Sequence, residues 1–289
     1  MSRPVQGGRW WAAGLAATLT LCAGSARAGE GSGGGLVVYE ADLAGAKNPD
    51  GLLLTLGGFR RWPLQGEAAG LAASPYLQAG GGVAVSPAYA AGKVHGEWMP
   101  HPALQLRAQY SWIRYFGDYA ALLSFPSGDA AFGRREVDEL EGEEEAAWGQ
   151  RLLLRPILRF KYGPLLVRNV TDFAFCRFDG QGPYFLEWDY CTLVKDSDWI
   201  ISDSIQLPFK IWSGPGAEAA YAGPFFEITH AEAADITQER AGLIAAWTLS
   251  DRLGPLTQPR AYLQAGMHLR DPNREGEFYV VFGVGFDLD

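Results

Sequence analysis

The chain has 289 residues, 24 of them basic and 33 acidic, for a formal charge of -9 at neutral pH. That balance argues against nucleic acid, whose binding depends on Lys and Arg neutralising phosphates. The three cysteines and four histidines form no cluster with zinc spacing, so no metal or other cofactor is implied.

Residues 1–28 read as a signal peptide. Arg3 and Arg9 supply a positive start, Trp10 to Ala26 carries no charge, and Ala26-Arg27-Ala28 is a small-x-small cleavage pattern. The alternatives are an uncleaved anchor and a lipoprotein processed at Cys22. The first lacks length, since a spanning helix needs about 20 apolar residues. The second places Leu21 where a small residue is wanted. Cleavage removes Arg3, Arg9 and Arg27 and takes the charge from -9 to -12. Residues 29–35 form a Gly/Ser linker. Residues 36–289 show no second linker and no long helical period, so they are expected to make one domain.

From Leu36 onward the chain alternates with the period of two that a strand imposes. Val37, Tyr39, Ala41 and Leu43 oppose Glu40 and Asp42. Strands are expected around Leu52–Leu56, Tyr76–Val85 and Tyr89–Trp98. From Leu104 to Phe116, Leu104, Leu106, Ala108, Tyr110 and Trp112 alternate with Gln105, Arg107, Gln109 and Ser111. Further strands are expected near 148–161, 164–177, 182–193, 199–213, 218–230, 238–250 and 260–270. The last stretch, Glu277 to Asp289, sets Phe278, Val280, Phe282, Val284, Phe286 and Leu288 against Tyr279, Val281, Gly283, Gly285 and Asp287.

A soluble sandwich alternates too. Here, however, the polar face carries full charges in mid-strand, the other face is small and aliphatic, and an export signal precedes both. In hydrocarbon no water satisfies an unpaired N–H or C=O, so a sheet that spans must close on itself. Trp62, Trp98, Trp148, Trp199 and Trp212 fall near strand ends, as does Trp112 with Tyr115 and Phe116, where amphipathic rings meet headgroups. Core packing is the other reading of these rings. The strands count to thirteen, whereas bacterial single-chain barrels use even numbers. Twelve is therefore expected and fourteen next, with the opening strand and Trp199–His230 as suspects.

Over residues 36–289 the chain resembles Gram-negative outer-membrane β-barrel proteins, on the alternating strands, the terminal strand and the export signal rather than on a motif. The resemblance implies an all-β fold, a closed antiparallel transmembrane barrel in the outer membrane. It implies contact with outer-membrane lipid and lipopolysaccharide, with the assembly machinery, and with periplasmic or surface proteins. Such chains usually end on an aromatic residue; here Asp287, Leu288 and Asp289 follow Phe286.

The polar faces direct Lys93, His95, Glu97, Arg107, Arg155, Arg159, Arg168, Glu187, Asp189, Arg260, His268 and Arg270 toward the lumen. Charges there line a porin-like pore for small solutes or ions, or pair across a narrow interior and fill it. Three functions follow: a passive channel, a non-enzymatic anchor of an envelope-spanning machine, and a lipid hydrolase. For the last, Phe226 to Glu232 holds His230 beside Thr229, but strand neighbours point to opposite faces. The acidic run Glu136 to Glu145 is expected to be a solvated loop rather than a calcium site. Cys176 and Cys191 are read as unbridged thiols on neighbouring strands, with a disulfide open to an oxidising envelope.

Overall fold

A computed structural model describes residues 36–47, 51–64, 75–117, 122–140, 142–215, 218–250, 252–253 and 256–288. The expected signal peptide and linker lie outside the described residues.

In chain order the elements are β1 (Leu36–Lys47), β2 (Gly51–Pro63), β3 (Tyr76–Val85), β4 (Tyr89–His101), β5 (Leu104–Tyr115), β6 (Ser124–Phe125) and α1 (Arg134–Glu139). There follow β7 (Trp148–Tyr162), β8 (Leu165–Phe178), β9 (Tyr184–Glu187), β10 (Thr192–Lys195), β11 (Ser197–Gln206) and β12 (Phe209–Ser213). The chain ends with β13 (Ala219–Ala231), β14 (Ile236–Thr248), β15 (Arg252–Leu253), β16 (Leu256–Arg270) and β17 (Phe278–Leu288).

Twelve long strands form the wall in the order β1-β2-β3-β4-β5-β7-β8-β11-β13-β14-β16-β17, each antiparallel to the next. The ring closes where β17 pairs β1, from Tyr39 opposite Leu288 to Lys47 opposite Val280. β12 continues β11 beyond Leu207 and Pro208 and keeps the same two neighbours. Closure gives every wall strand a partner on both sides, which removes the edges that hydrocarbon would penalise.

The expected strand 182–193 is not in the wall, and its removal turns thirteen strands into twelve. β9 and β10 instead pair each other and β6 as a separate three-stranded sheet. The two suspects of the strand count, the opening strand and Trp199–His230, are both sound wall strands. The described parts of the β5–β7 connection (116–117, 122–140 and 142–147) and residues 179–196 lie at the same end of the barrel, opposite Leu36 and Leu288; we call that end distal.

The distal inserts fold back into the lumen. Leu122, Leu123, Phe125, Phe185, Leu193 and Val194 are all at most 3% exposed and pack against inward wall residues such as Leu53, Ile113, Leu153, Ala174 and Ile200. Burying each such side chain is worth about 1.5–3 kcal/mol, set against about 1–2 kcal/mol per residue for ordering the backbone. A second apolar cluster, with Phe225, Ile244, Tyr262, Tyr279 and Val281, lines the inner wall across β13 to β17. Gly283 is small because the Tyr262 ring occupies the space a Cβ would need.

The outer wall is apolar. Leu43, Leu54, Val94, Leu106, Leu154, Ile205, Leu263, Phe282 and Val284 all face outward and are exposed, while their strand neighbours are buried or half-buried. Trp112, Trp148 and Trp199 ring the distal end of this belt, and Trp98, Trp212, Trp247 and Tyr162 the other. Trp199 and Trp212 are thirteen residues apart along β11–β12, or about 30 Å of membrane thickness for a strand tilted by ~45°. Arg114 lies over Trp148 at 5.2 Å and Arg60 over Trp62 at 5.7 Å, cations placed at headgroup depth. Tyr115, expected in the girdle, points inward and is buried, because it shares the parity of Ser111 and Ile113. His101 sits in the tight β4–β5 turn, where its Nδ1 accepts the Ala103 N–H at 3.1 Å.

Candidate functional site

Below the insert the lumen holds a small polar chamber of about 120 Å³. Its charged lining comes from nearly the whole circumference: Glu40 and Asp42 on β1, Lys93 on β4, Arg107 on β5, Arg151 and Arg155 on β7, Asp172 on β8, Glu227 on β13 and Arg240 on β14. The insert supplies Asp189 and Tyr190 as the roof. Each wall residue is there by strand parity, one residue inward for each outward.

Most of these charges are paired. Arg155 grips Asp172 with two bonds, at 2.6 and 2.7 Å. Arg240 pairs with Glu227 across the β13–β14 ladder. Arg260 bridges Asp42 at 3.2 Å and Asp287 at 2.9 Å. The pairing matters because an isolated charge in such a volume is expensive.

The insert is latched to the wall by the same chemistry. Arg151 donates to Glu187 at 2.9 Å and to Asp189. Tyr89 donates its hydroxyl to Asp189 at 3.1 Å, and Tyr190 donates to Asp172 at 3.0 Å. From the other side, Arg274 in the β16–β17 loop donates to the Cys191 carbonyl and Sγ, both at 2.6 Å, and to Asp271 at 2.9 Å. Asn273 of that loop accepts the Phe132 N–H at 3.0 Å. Cys191 itself holds a left-handed backbone, with φ of 57°, which a side chain adopts only at a cost.

Burial and the adjacent Asp189 charge push the Glu187 carboxyl up to about 7, against the pull of Arg151. Burial raises Asp189 as well, but Arg151 and Lys93 outweigh it and hold that carboxyl below its usual range. A raised folded value stabilises docking in full below the free value of 4.5 and loses that contribution as pH climbs through about 7. Asp189 contributes in the opposite sense, above its free value, and is lost only in acid. Docking of the insert should therefore weaken between pH 6 and pH 8. Hydrogen exchange of the amides of residues 184–195, corrected for intrinsic rates, should show faster opening at pH 8; unchanged protection would contradict this.

Of the residues singled out from sequence, Lys93, His95, Arg107, Arg155 and Asp189 line the chamber. Glu97 lies nearer the terminal end and accepts a hydrogen bond from Tyr76. Arg159 donates to Gln105 there, and Arg168 to Gln206 at 2.9 Å. His268 is buried, 3.5 Å from Asp271, with its ring 5.3 Å from that of Tyr279. Glu187 and Asp189 reach the lumen, but from the insert and not from a wall strand as expected. Arg270 is on the outer wall: a register shift at Glu239/Arg240 places it opposite Glu239, exposed and 3.8 Å away.

Sequence reasoning missed Arg151, although Arg151, Arg155 and Arg159 share one parity. It saw Glu40 and Asp42 on the polar side without assigning them to the lumen. The acidic run is partly ordered: Arg134–Glu139 is helical, Arg135 pairs with Glu139 at 2.9 Å, and Glu145 accepts the Gln181 N–H at 2.7 Å. Among the described residues no three His, Cys, Asp or Glu side chains are grouped to hold a metal. Cys176 and Cys191 are both free and buried. They are not on neighbouring wall strands, since Cys176 stands opposite Asp198 and Arg151. His230 faces outward, 3.0 Å from Thr237, while Thr229 faces inward, 2.9 Å from Ser202.

No family model and no curated protein matches the sequence. Among solved structures, the β domain of the Bordetella autotransporter BrkA is 12% identical, with 88% of this chain and 98% of that chain covered and a TM-score of 0.42. The KdgM porin in complex with disordered oligogalacturonate is 9% identical, with 88% and 99% covered and a TM-score of 0.41. The NanC porin is 6% identical, with 87% and 99% covered and a TM-score of 0.38. A closed β-ring with an apolar belt, two aromatic girdles and a charged interior is the build of an outer-membrane barrel. That is the fold and the location of this chain.

Proposed function

We propose that this barrel is a gated channel for small solutes or ions, held shut at its outer mouth by residues 179–196. The observation that carries the reading is the latch. The insert meets the wall through ion pairs centred on Arg151, above a polar chamber, rather than through apolar packing alone. A permanently filled lumen gains nothing from such pairs, because well-packed apolar residues of similar volume are as good or better. Charges of both signs line the path, so strong selectivity for either ion sign is not expected.

The apolar core in the distal half favours a second reading, a sealed barrel that anchors an envelope-spanning machine. In either case the belt meets phospholipid and lipopolysaccharide, and the terminal strand is what the assembly machinery would read. Planar-bilayer recordings separate the two. Wild type should rest closed with rare steps, and a variant with residues 180–195 replaced by a short Gly/Ser linker should give sustained steps. A folded linker variant that never conducts ends the channel reading and leaves the anchor, which a crosslinking search for periplasmic partners then tests.

A further inference from the structure

The outer belt is interrupted by polar residues on its distal half, among them Glu239 with Arg270 and, on β11, Asp203. On β11, Ile201 and Ile205 face outward at 41% and 42% exposure, while Ser202 and Ser204 are buried inward. Asp203 therefore faces outward with the isoleucines. It lies four residues from Trp199 and nine from Trp212, well inside the span between the girdles. Glu239, in the same ladder row two strands away through Ile228, is another outward carboxylate, but it has Arg270 3.8 Å from it.

Asp203 is not alone. Thr171 on β8 donates its hydroxyl to Asp203 Oδ1 at 2.6 Å, and Asn169 donates Nδ2 to the same oxygen at 2.9 Å. Both point outward, between the exposed Phe173 and the rim. Both bonds use one carboxylate oxygen, so Oδ2 keeps its acceptor capacity. Asn169 in turn keeps a second amide hydrogen, whose acceptor, the Ser204 carbonyl, is as far as 3.5 Å.

In the same sector prolines interrupt the backbone ladder in mid-strand. β7–β8 pairing skips Arg155 and Pro156. Pairing around β11–β12 is interrupted at Leu207 and Pro208, beside Pro224 on β13. In a closed ring each N–H serves one neighbour, so each of these prolines removes a ladder bond. Elsewhere the register shifts lie near strand ends, at Trp98/His101, Glu239/Arg240 and Thr257/Arg260.

We infer that the β7–β8–β11–β13 face is covered by a second copy of this chain. A carboxylate in hydrocarbon is costly and looks for a donor. Here each copy carries an acceptor position on Asp203 Oδ2 and, on the adjacent strand, the Asn169 amide, whose second hydrogen bond is a long one. That is the self-complementary set a two-fold interface needs, with Asn169 of each copy donating to Asp203 of the other. The exposed Phe173, Ile201, Phe226 and Ile228 around them supply the apolar remainder.

The test uses full-length protein in lipid vesicles. Ile205 faces outward on β11 opposite Asn169, beside the axis of the proposed pair, and Leu54 is on the far wall. Ile205→Cys should form disulfide-linked dimers and Leu54→Cys should not. Adding Asp203→Leu should lower the linked fraction about ten-fold, as expected for losing a charge-assisted hydrogen bond. The unboiled gel mobility reports folding; if Asp203→Leu fails it, Asn169→Leu with Thr171→Val takes its place. Equal crosslinking at both cysteines, no effect of the polar substitutions, or linkage only to other proteins in native membranes would overturn the proposal.

Discussion

Arg151→Met is expected to release residues 179–196 from the lumen, because it leaves Glu187 and Asp189 buried with no cation between them. Arg151 and Glu187 are both below a tenth exposed, and Arg151 is the residue that both acids share. Removing one partner of a buried pair costs about 3–5 kcal/mol, a large share of what the insert can gain from packing once its ordering is counted. The expected readouts are fast hydrogen exchange across residues 184–195, labelling of the otherwise buried Cys191, and channel steps in bilayers. Replacing all three residues together, with Arg151→Met, Glu187→Gln and Asp189→Asn, should be milder than Arg151→Met alone, since neither acid of the insert is then left buried as an unpaired charge. Wild-type protection in Arg151→Met would show that apolar packing holds the insert without the latch.

Leu154→Arg should destabilise the folded barrel by about 2–4 kcal/mol, the cost of a cation at mid-depth on a lipid face. Leu154 is 44% exposed in the middle of β7, so the same change on a soluble protein surface would fall within about ±0.5 kcal/mol. Refolding titrations in urea with lipid vesicles give the number. A cost near zero would mean that water touches this wall. Leu153, one residue away and 5% exposed, tests the other side: Leu153→Ala removes packing against the insert and should cost about 2–5 kcal/mol.

The wall was legible because its rule is local. Leu104 to Trp112 and Phe278 to Phe286 alternate strictly, and the structure sends every second residue outward. The insert was misread because its short strands also carry apolar residues. Their pattern differs, however: Phe185, Leu186 and Glu187 are buried in succession, as are Thr192, Leu193 and Val194. A segment inside a lumen has no lipid side, so both of its faces pack, and the missing alternation was the available signal. Arg270 was misplaced by a single-residue register shift, which flips a side chain to the other face and leaves no local trace in composition. The chamber was half legible. Parity supplied Lys93, Arg107 and Arg155, but the latch joins positions 151, 187 and 189 through a fold-back that no periodicity encodes.

The central claim is that this chain is a closed ring with hydrocarbon outside and packed, paired side chains within. Its most direct test is the mobility of protein refolded into lipid vesicles and run unboiled in detergent gels. The account predicts a compact, faster band that reverts to the full-length position only on boiling. A chain that folds as a soluble monomer without lipid, and runs as one band boiled or not, would contradict it.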